Sequence, residues 1–165
     1  PMAAMAAGGG TPTPPKPSET TTTCAEGLVW DLATQSCMTP EASTNDDSAR
    51  LNDVRELAYA GQYAAALDVL DTLENPGAPL ALTYYGFAHR KAGDIALGME
   101  YYTRAIAADP DNLLARSYMG QGFVAAGDIA QAEEQLIEIR LRGGQNSWAE
   151  TSLAAAITTG AGYSY

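Results

Sequence analysis

Apolar residues recur at helical spacing along the chain from Asn45 onwards. Leu51, Val54 and Leu57 follow one another at intervals of three, and a second set recurs at intervals of three and four: Ala66, Val69, Leu70 and Leu73. Each pattern predicts an α-helix with a single apolar stripe. Because such a helix cannot bury its stripe alone, neighbouring helices must cover it.

Glycine interrupts this helical pattern at regular intervals. Gly61, Gly93 and Gly127 are 32 and 34 residues apart, and each is followed by a polar or acidic residue and then an apolar one. A recurring unit of helix, glycine turn and helix at this period indicates a repeat protein.

Residues 79–112 carry a specific family pattern. Gly86, Gly93-Asp94, Tyr102, Ala105 and Asp109-Pro110 stand at its small, turn, aromatic, small and helix-ending positions. The third copy keeps Gly120, Phe123, Gly127-Asp128 and Ala132 but has Gly143-Gly144 where the family has proline, and the first keeps Leu57, Gly61, Ala66 and Leu70. The segment 46–146 thus resembles the tetratricopeptide repeat (TPR) family, and this resemblance implies an all-α, helix-turn-helix solenoid of three TPR-like repeats.

The open end of such a stack needs a cap. Ser147 and Glu150 have the spacing of a capping box, in which the serine and glutamate side chains bind free backbone N–H groups at a helix start. The sequence therefore predicts a C-terminal capping helix over 148–158, which lays Trp148, Leu153, Ala156 and Ile157 over the third repeat.

Cys24 and Cys37 enclose a short strand-like run that ends at Trp30, and Asp31 can turn the chain by bonding its own downstream backbone. Two cysteines and one histidine cannot supply the four ligands of a structural zinc site. We expect a disulfide that closes a hairpin within 24–44, with a redox-active pair as the alternative. A structural disulfide requires an oxidising compartment.

The N-terminal residues differ in composition from the rest. Residues 1–7 (PMAAMAA) contain the A-x-A pattern of a signal-peptidase site and are interpreted as a signal-peptide remnant, the alternative being a cloning remnant or a plain terminus. Residues 8–23 are rich in Pro and Thr and are expected to form an extended linker. The solenoid with its capping helix is expected over 45–158 and a tail over 159–165.

Charge restricts the partners. With 9 Lys and Arg against 20 Asp and Glu, the net charge is −11, which disfavours nucleic acid and anionic membrane surfaces. The sequence offers no familiar catalytic motif, and its one histidine, His89, is expected to pack rather than to transfer protons. We expect no enzyme activity, cofactor, metal or small-molecule substrate. The acidic residues 41–47 are interpreted as a helix start capped by Thr44 or Asn45.

The family resemblance further implies a concave groove made by the first helix of each repeat. By register, its partner-binding residues are Arg55, Tyr59, Thr83, Phe87, Arg90, Lys91, Gln121 and Val124. A cationic and aromatic groove favours an extended protein or peptide partner that carries carboxylates. The alternative is that Arg90 and Lys91 only complement the carbonyl end of their helix.

These observations predict a noncatalytic, periplasmic or otherwise exported adaptor or assembly factor. The alternative is a structural accessory subunit of a larger cell-envelope or membrane complex, or a self-associating homopolymer, docked through the N-terminal arm and hairpin.

Overall fold

The computed structural model describes residues 16–162. The predicted signal-peptide remnant, the first half of the linker and the last residues of the tail lie outside this range. The helices and strands are α1 (Glu19–Thr22), β1 (Val29–Asp31), β2 (Ser36–Met38), α2 (Asp47–Tyr59), α3 (Tyr63–Leu70), α4 (Pro79–Ala92), α5 (Ile95–Ala108), α6 (Leu113–Ala125), α7 (Ile129–Leu141) and α8 (Trp148–Thr159). They divide into two compact units, 16–101 and 102–162 within the described residues, with the boundary inside α5.

The predicted fold class is confirmed. Among the residues described, eight helices and one two-stranded hairpin are present, and the helices pair in sequence as the repeat pattern requires. Each predicted turn glycine follows the first helix of a pair and has a positive φ, of 81° at Gly61, 106° at Gly93 and 80° at Gly127. Glycine is needed there because other residues are strained in this region.

Each of these turns closes in the same way. At the second turn, Gly93 N–H donates to Arg90 O (3.2 Å) and Asp94 N–H donates to His89 O (2.9 Å). At the first turn, Gly61 N–H donates to Ala58 O and Gln62 N–H donates to Leu57 O. At the third turn, Gly127 N–H donates to Val124 O and Asp128 N–H donates to Phe123 O. This Schellman pattern satisfies carbonyls that the helix ends leave unpaired. The sequence repeat is therefore a repeat of one local structure.

Side chains cap most of the helices at their start. The cap of α2 is Asp46, whose side chain accepts a hydrogen bond from Ala49 N–H (2.9 Å), so the expectation of Thr44 or Asn45 is corrected. Thr44 and Asn45 instead bind the hairpin, through Asp31 and through the backbone of Trp30.

In the unit 16–101, α2, α3 and α4 share an apolar core whose members are almost completely buried: Val54, Leu57, Val69, Leu70, Leu82 and Phe87. α5 approaches α4 closely at Gly98, where an added Cβ would lie 2.7 Å from Arg90 Cβ and 2.8 Å from Gly86 O. Only glycine fits this contact, which explains the small residues that the repeat pattern places here.

In the unit 102–162, the core comprises residues of α6, α7 and α8, among them Val124, Ala132, Ile139 and Leu153. The predicted capping helix is present as α8 and packs against α6, where a Cβ on Gly120 would come within 2.7 Å of Leu153. The Ser147 hydroxyl caps Glu150 N–H (3.2 Å), while Glu150 accepts from Asn146 N–H (2.7 Å). The glutamate therefore reaches one residue further back than in a standard capping box, because Ser147 N–H already donates to Gly144 O.

The predicted hairpin is confirmed. β1 and β2 are antiparallel, with Val29 opposite Met38, and Cys24 is bonded to Cys37. Asp31 accepts from Thr34 N–H (2.8 Å), as expected for a residue that turns the chain. The hairpin leads into α2 through residues 39–46.

The expectation of an extended linker over 8–23 is corrected at its last residues, because Glu19–Thr22 form α1. The Thr20 hydroxyl donates to Asp53 (2.6 Å), and Ser18 donates to Glu56 from its backbone N–H (2.8 Å) and its hydroxyl (2.5 Å). Both carboxylates belong to α2. This short segment is therefore ordered by polar contacts rather than by apolar burial, which its composition cannot provide.

No helix within residues 16–162 has the length and apolar character that a bilayer-spanning segment requires.

Candidate functional site

Three aromatic rings meet where α2, α3 and α4 come together. Phe87 on α4 is fully buried, and its ring makes edge-to-face contacts with Tyr59 (centroids 5.7 Å apart) and Tyr63 (6.4 Å). Tyr59 and Tyr63 are half-buried, so part of each side chain reaches solvent. Edge-to-face packing of this kind holds the rings in fixed positions.

Two cations flank these rings. The Arg55 guanidinium lies 5.8 Å from the centroid of the Tyr59 ring, and the Lys91 ammonium lies 5.9 Å from that of Phe87. Both distances are within the range of a cation–π interaction. Arg55, Tyr59, Tyr63, Phe87 and Lys91 are called the aromatic–cation cluster below.

Helical spacing explains how the sequence builds this cluster. Arg55 and Tyr59 are four residues apart on α2, as are Phe87 and Lys91 on α4, and residues at this spacing share one helix face. Tyr63 enters as the first residue of α3, directly after the Gly61 turn. The cluster therefore depends on the Gly61 turn between α2 and α3 as well as on helices α2 and α4.

The two charges have different surroundings. Burial lowers the pKa of Lys91, and the neighbouring positive charge of Arg90 lowers it further. Arg55 is half-buried, and its side chain makes no ion pair or hydrogen bond with any residue between 16 and 162. A carboxylate brought to this surface would stabilise both charges, because it would replace water lost by burial.

Two further groove residues predicted on α4 have packing contacts. Thr83 is fully buried, and its hydroxyl donates to Pro79 O (2.8 Å) one turn earlier. Arg90 is half-buried, with its Cβ close to the position of Gly98 described above. The partial burial of Arg90 reflects the close approach of α4 and α5.

The groove residues predicted in the third repeat are buried in the unit 102–162. Gln121 is 1% exposed, and its amide lies 3.5 Å from the hydroxyls of Ser117 and Ser152. Val124 belongs to the core with Leu153 of α8. The structure thus brings Arg55, Tyr59, Phe87 and Lys91 together in one unit and places Gln121 and Val124 beneath α8 in the other.

Tyr63 is the residue that register alone did not identify. The family pattern assigns partner contacts to the first helix of each repeat, and Tyr63 belongs to the second. The sequence does contain a signal for Tyr63. It stands two positions after a turn glycine and is aromatic, whereas the other two copies have Ile95 and Ile129 at this position.

The single histidine packs, as the sequence analysis expected. His89 is half-buried and stacks on Tyr101 (centroids 5.5 Å apart), which in turn stacks on Tyr85 (4.9 Å). The Tyr85 hydroxyl donates to Asp71 (2.7 Å), and burial together with this bond raises the pKa of Tyr85 far above its ordinary value. These rings join α4 to α5 and to the end of α3.

Comparison with known families supports the repeat assignment. Residues 89–157 match a family model described as tetratricopeptide repeat, from the last turn of α4 to α8. No characterised protein and no solved structure is significantly similar to the chain. Repeats of this type generally mediate protein–protein interactions and are usually non-catalytic.

Proposed function

We propose that this chain is a non-catalytic adaptor or assembly factor that binds an extended segment of a protein partner at the aromatic–cation cluster. The tetratricopeptide match supports a protein or peptide as the ligand. The cluster supports the location, because α2 and α4 are the first helices of the first two repeats.

One observation carries this proposal. In a chain with 20 acidic residues, the guanidinium of Arg55 lies over the Tyr59 ring and has no carboxylate partner among residues 16–162. Arginine pairs well with a carboxylate through two parallel hydrogen bonds. Arg55 is therefore the residue best suited to receive an acidic side chain or a C-terminal carboxylate.

The rings define the remaining chemistry of the partner. Half-buried Tyr59 and Tyr63 offer flat apolar surface beside polar hydroxyls, and such surface is typical of residues that dominate binding energy. We infer a partner segment that presents an apolar or aromatic side chain next to its carboxylate.

The disulfide between Cys24 and Cys37 suggests an oxidising, exported compartment. We propose the periplasm. The segment interpreted as a signal-peptide remnant lies outside the described residues.

The second candidate function is that of a structural subunit in a cell-envelope complex or a homopolymer. It is favoured by the hairpin, whose Leu32 side chain is 64% exposed and could be covered by a fixed neighbour. A subunit would be held at a constant ratio, whereas an adaptor would exchange.

Photocrosslinking in cells of the source organism tests the proposal. A photoreactive amino acid at position 59 should capture a protein partner, and the same amino acid at Glu133, an exposed position on α7, is the matched control. We expect capture at position 59 only, in less than equimolar amount, and less of it when protein without the photoreactive amino acid is present in excess before irradiation. Equal capture at both positions, or none, would contradict the location, and a fixed ratio without exchange would favour the subunit.

A further inference from the structure

A second candidate site lies at the N-terminal end of the repeats. A cleft of about 160 Å³ opens between α1, the hairpin and α2. Its lining residues are Ser18, Glu19, Thr20, Trp30, Leu32, Asn45, Ala49, Asn52 and Asp53, and it is called the cap cleft below. Pockets for drug-sized ligands are at least about twice this volume, so the cap cleft suits a single side chain.

One wall of the cap cleft is apolar and partly open to solvent. Trp30 in β1 and Leu32, the first residue of the hairpin turn, both line this wall. Trp30 is half-buried and Leu32 is 64% exposed. Within the described part of the chain, no residue accepts a hydrogen bond from the Trp30 indole N–H.

The other side of the cap cleft is acidic. Glu19 is exposed and has no ion-pair partner among residues 16–162, and the buried Asp53 lies at the floor, where it accepts bonds from Thr20 (2.6 Å) and Asn45 (3.3 Å). The exposed Asn52 side chain also makes no hydrogen bond within these residues.

Among residues 16–162, no lysine or arginine lines this cleft. The charge of Arg50 acts on Asp53, and the Arg50 guanidinium donates to the carbonyl oxygens of Asn45 (2.7 Å), Thr72 (3.0 Å) and Ser43 (2.7 Å). Burial raises the pKa of Asp53 and the charge of Glu56 adds to this effect, while hydrogen bonds from Thr20 and Asn45 and the charge of Arg50 lower it. Among the described residues, the carboxylates of the cap cleft therefore face no cation within the cleft itself.

We propose that the cap cleft binds an arginine side chain of a protein partner, with the guanidinium against Trp30 and Glu19. A planar guanidinium can stack on an indole ring and donate to carboxylate and amide oxygens at the same time, which the ammonium of lysine does less well. Leu32 contacts an apolar residue beside that arginine. This site differs from the aromatic–cation cluster in charge preference and in position, so it does not rest on the function proposed above.

Tryptophan fluorescence provides a direct test. The chain has only two tryptophans, and Trp148 is 6% exposed, so a Trp148→Phe variant leaves Trp30 as the sole reporter. The probe is the peptide acetyl-Gly-Leu-Arg-Gly-amide, and its matched control carries citrulline, a neutral isostere, in place of arginine. We expect a saturable change of Trp30 emission with the arginine peptide and a dissociation constant about tenfold weaker with citrulline.

Two substitutions sharpen this test. Glu19→Gln should weaken binding of the arginine peptide about tenfold, whereas Glu41→Gln, at an exposed carboxylate outside the cleft, should leave it unchanged. Thermal unfolding checks that each variant folds; if Trp148→Phe does not, the titration is run with Trp148 present, because its buried ring gives a constant background. Equal binding of the two peptides, equal effects of the two substitutions, or no saturable change up to about 10 mM peptide would overturn the proposal.

Discussion

Asp31 organises the N-terminal hairpin at the level of a single residue. Its carboxylate accepts bonds from the backbone N–H groups of Thr34 (2.8 Å) and Thr44 (2.6 Å), from both of their hydroxyls, and from Ser43 (3.3 Å). The bonds from the Thr34 and Thr44 backbones lower the pKa of Asp31 far below its ordinary value of 3.8. One side chain therefore fixes both the hairpin turn and the approach to α2.

We expect Asp31→Asn to lower the Tm by about 5 °C or more, because an amide NH₂ would face donors and the charge would be lost. Asp68→Asn is the matched control, since Asp68 is exposed on α3 and its side chain makes no hydrogen bond among the residues described. Thermal unfolding of both variants at neutral pH measures the effect. A similar Tm for the two variants would refute this role of Asp31.

Wild type and Asp31→Asn also test the lowered pKa of Asp31. A carboxyl whose pKa is lowered on folding stabilises the native state above its unfolded pKa, and this contribution is lost as pH falls through the folded pKa. The difference in Tm between wild type and Asp31→Asn should therefore shrink as pH falls below 3.8. A difference that stays constant would show that Asp31 does not hold its charge more strongly in the folded state.

The role of Asp31 in the turn could be predicted because Thr34 is only three residues away. Its bonds to Thr44 and Ser43 could not, because a pattern of residue types does not report which distant backbone groups lack partners. The same limit applies to Tyr63, whose contact with Phe87 joins residues 24 positions apart.

Structural elements that depend on residues close together in sequence could be predicted, whereas an element that depends on residues far away in sequence could not. The glycine turns, α8 and the hairpin each follow from residues close together in sequence. α1 does not, because four residues make too short a helix to persist alone and this one is ordered by Asp53 and Glu56, more than 30 positions later. A threonine-rich segment that composition assigns to linker is thereby part of the folded unit.

The disulfide is the covalent support of this N-terminal segment, because Cys24 follows α1 and Cys37 lies in β2. Replacing both cysteines by serine removes the constraint on a loop with a sequence separation of 13, which we expect to cost about 3 kcal/mol. Hydrogen exchange should then accelerate at the amides of residues 18–24.

Leu153→Ala, which weakens the packing of α8, is the control for this experiment, since it destabilises the protein without touching the hairpin. Unchanged exchange at residues 18–24 in the double serine variant, or equal acceleration in Leu153→Ala, would contradict a local role for the disulfide. Two free thiols in the denatured, unreduced protein would show that the bond is absent.

For the whole molecule, charge is the property that sequence composition describes best. The net charge of −11 disfavours polyanions as partners. Three arginines of the unit 102–162 pair with acids of that unit: Arg116 with Glu138, Arg140 with Glu150, and Arg142 with Asp111 and Glu138. Arg55 forms no such pair with a described residue, which distinguishes the aromatic–cation cluster from these structural ion pairs.

Register alone could not separate binding residues from packing residues. The same helix face that the family uses for partners here contains Thr83, Phe87, Gln121 and Val124, all of which are buried. Sequence position assigns a face, whereas burial depends on what packs over it, and for Gln121 and Val124 that is α8. The identity of the partner depends on the surface of a second molecule, so neither sequence position nor burial in this chain specifies it.

The affinity of the captured partner segment for charge variants tests the proposed function most directly. Isothermal titration calorimetry should give a dissociation constant at least about tenfold weaker for the double variant Arg55→Gln/Lys91→Gln than for wild type. The reason is that two charge-assisted contacts are lost, while glutamine keeps a long polar side chain at each position. Arg104→Gln, at an exposed position of α5, should leave the affinity unchanged. Equal affinities for all three proteins would contradict binding at the aromatic–cation cluster.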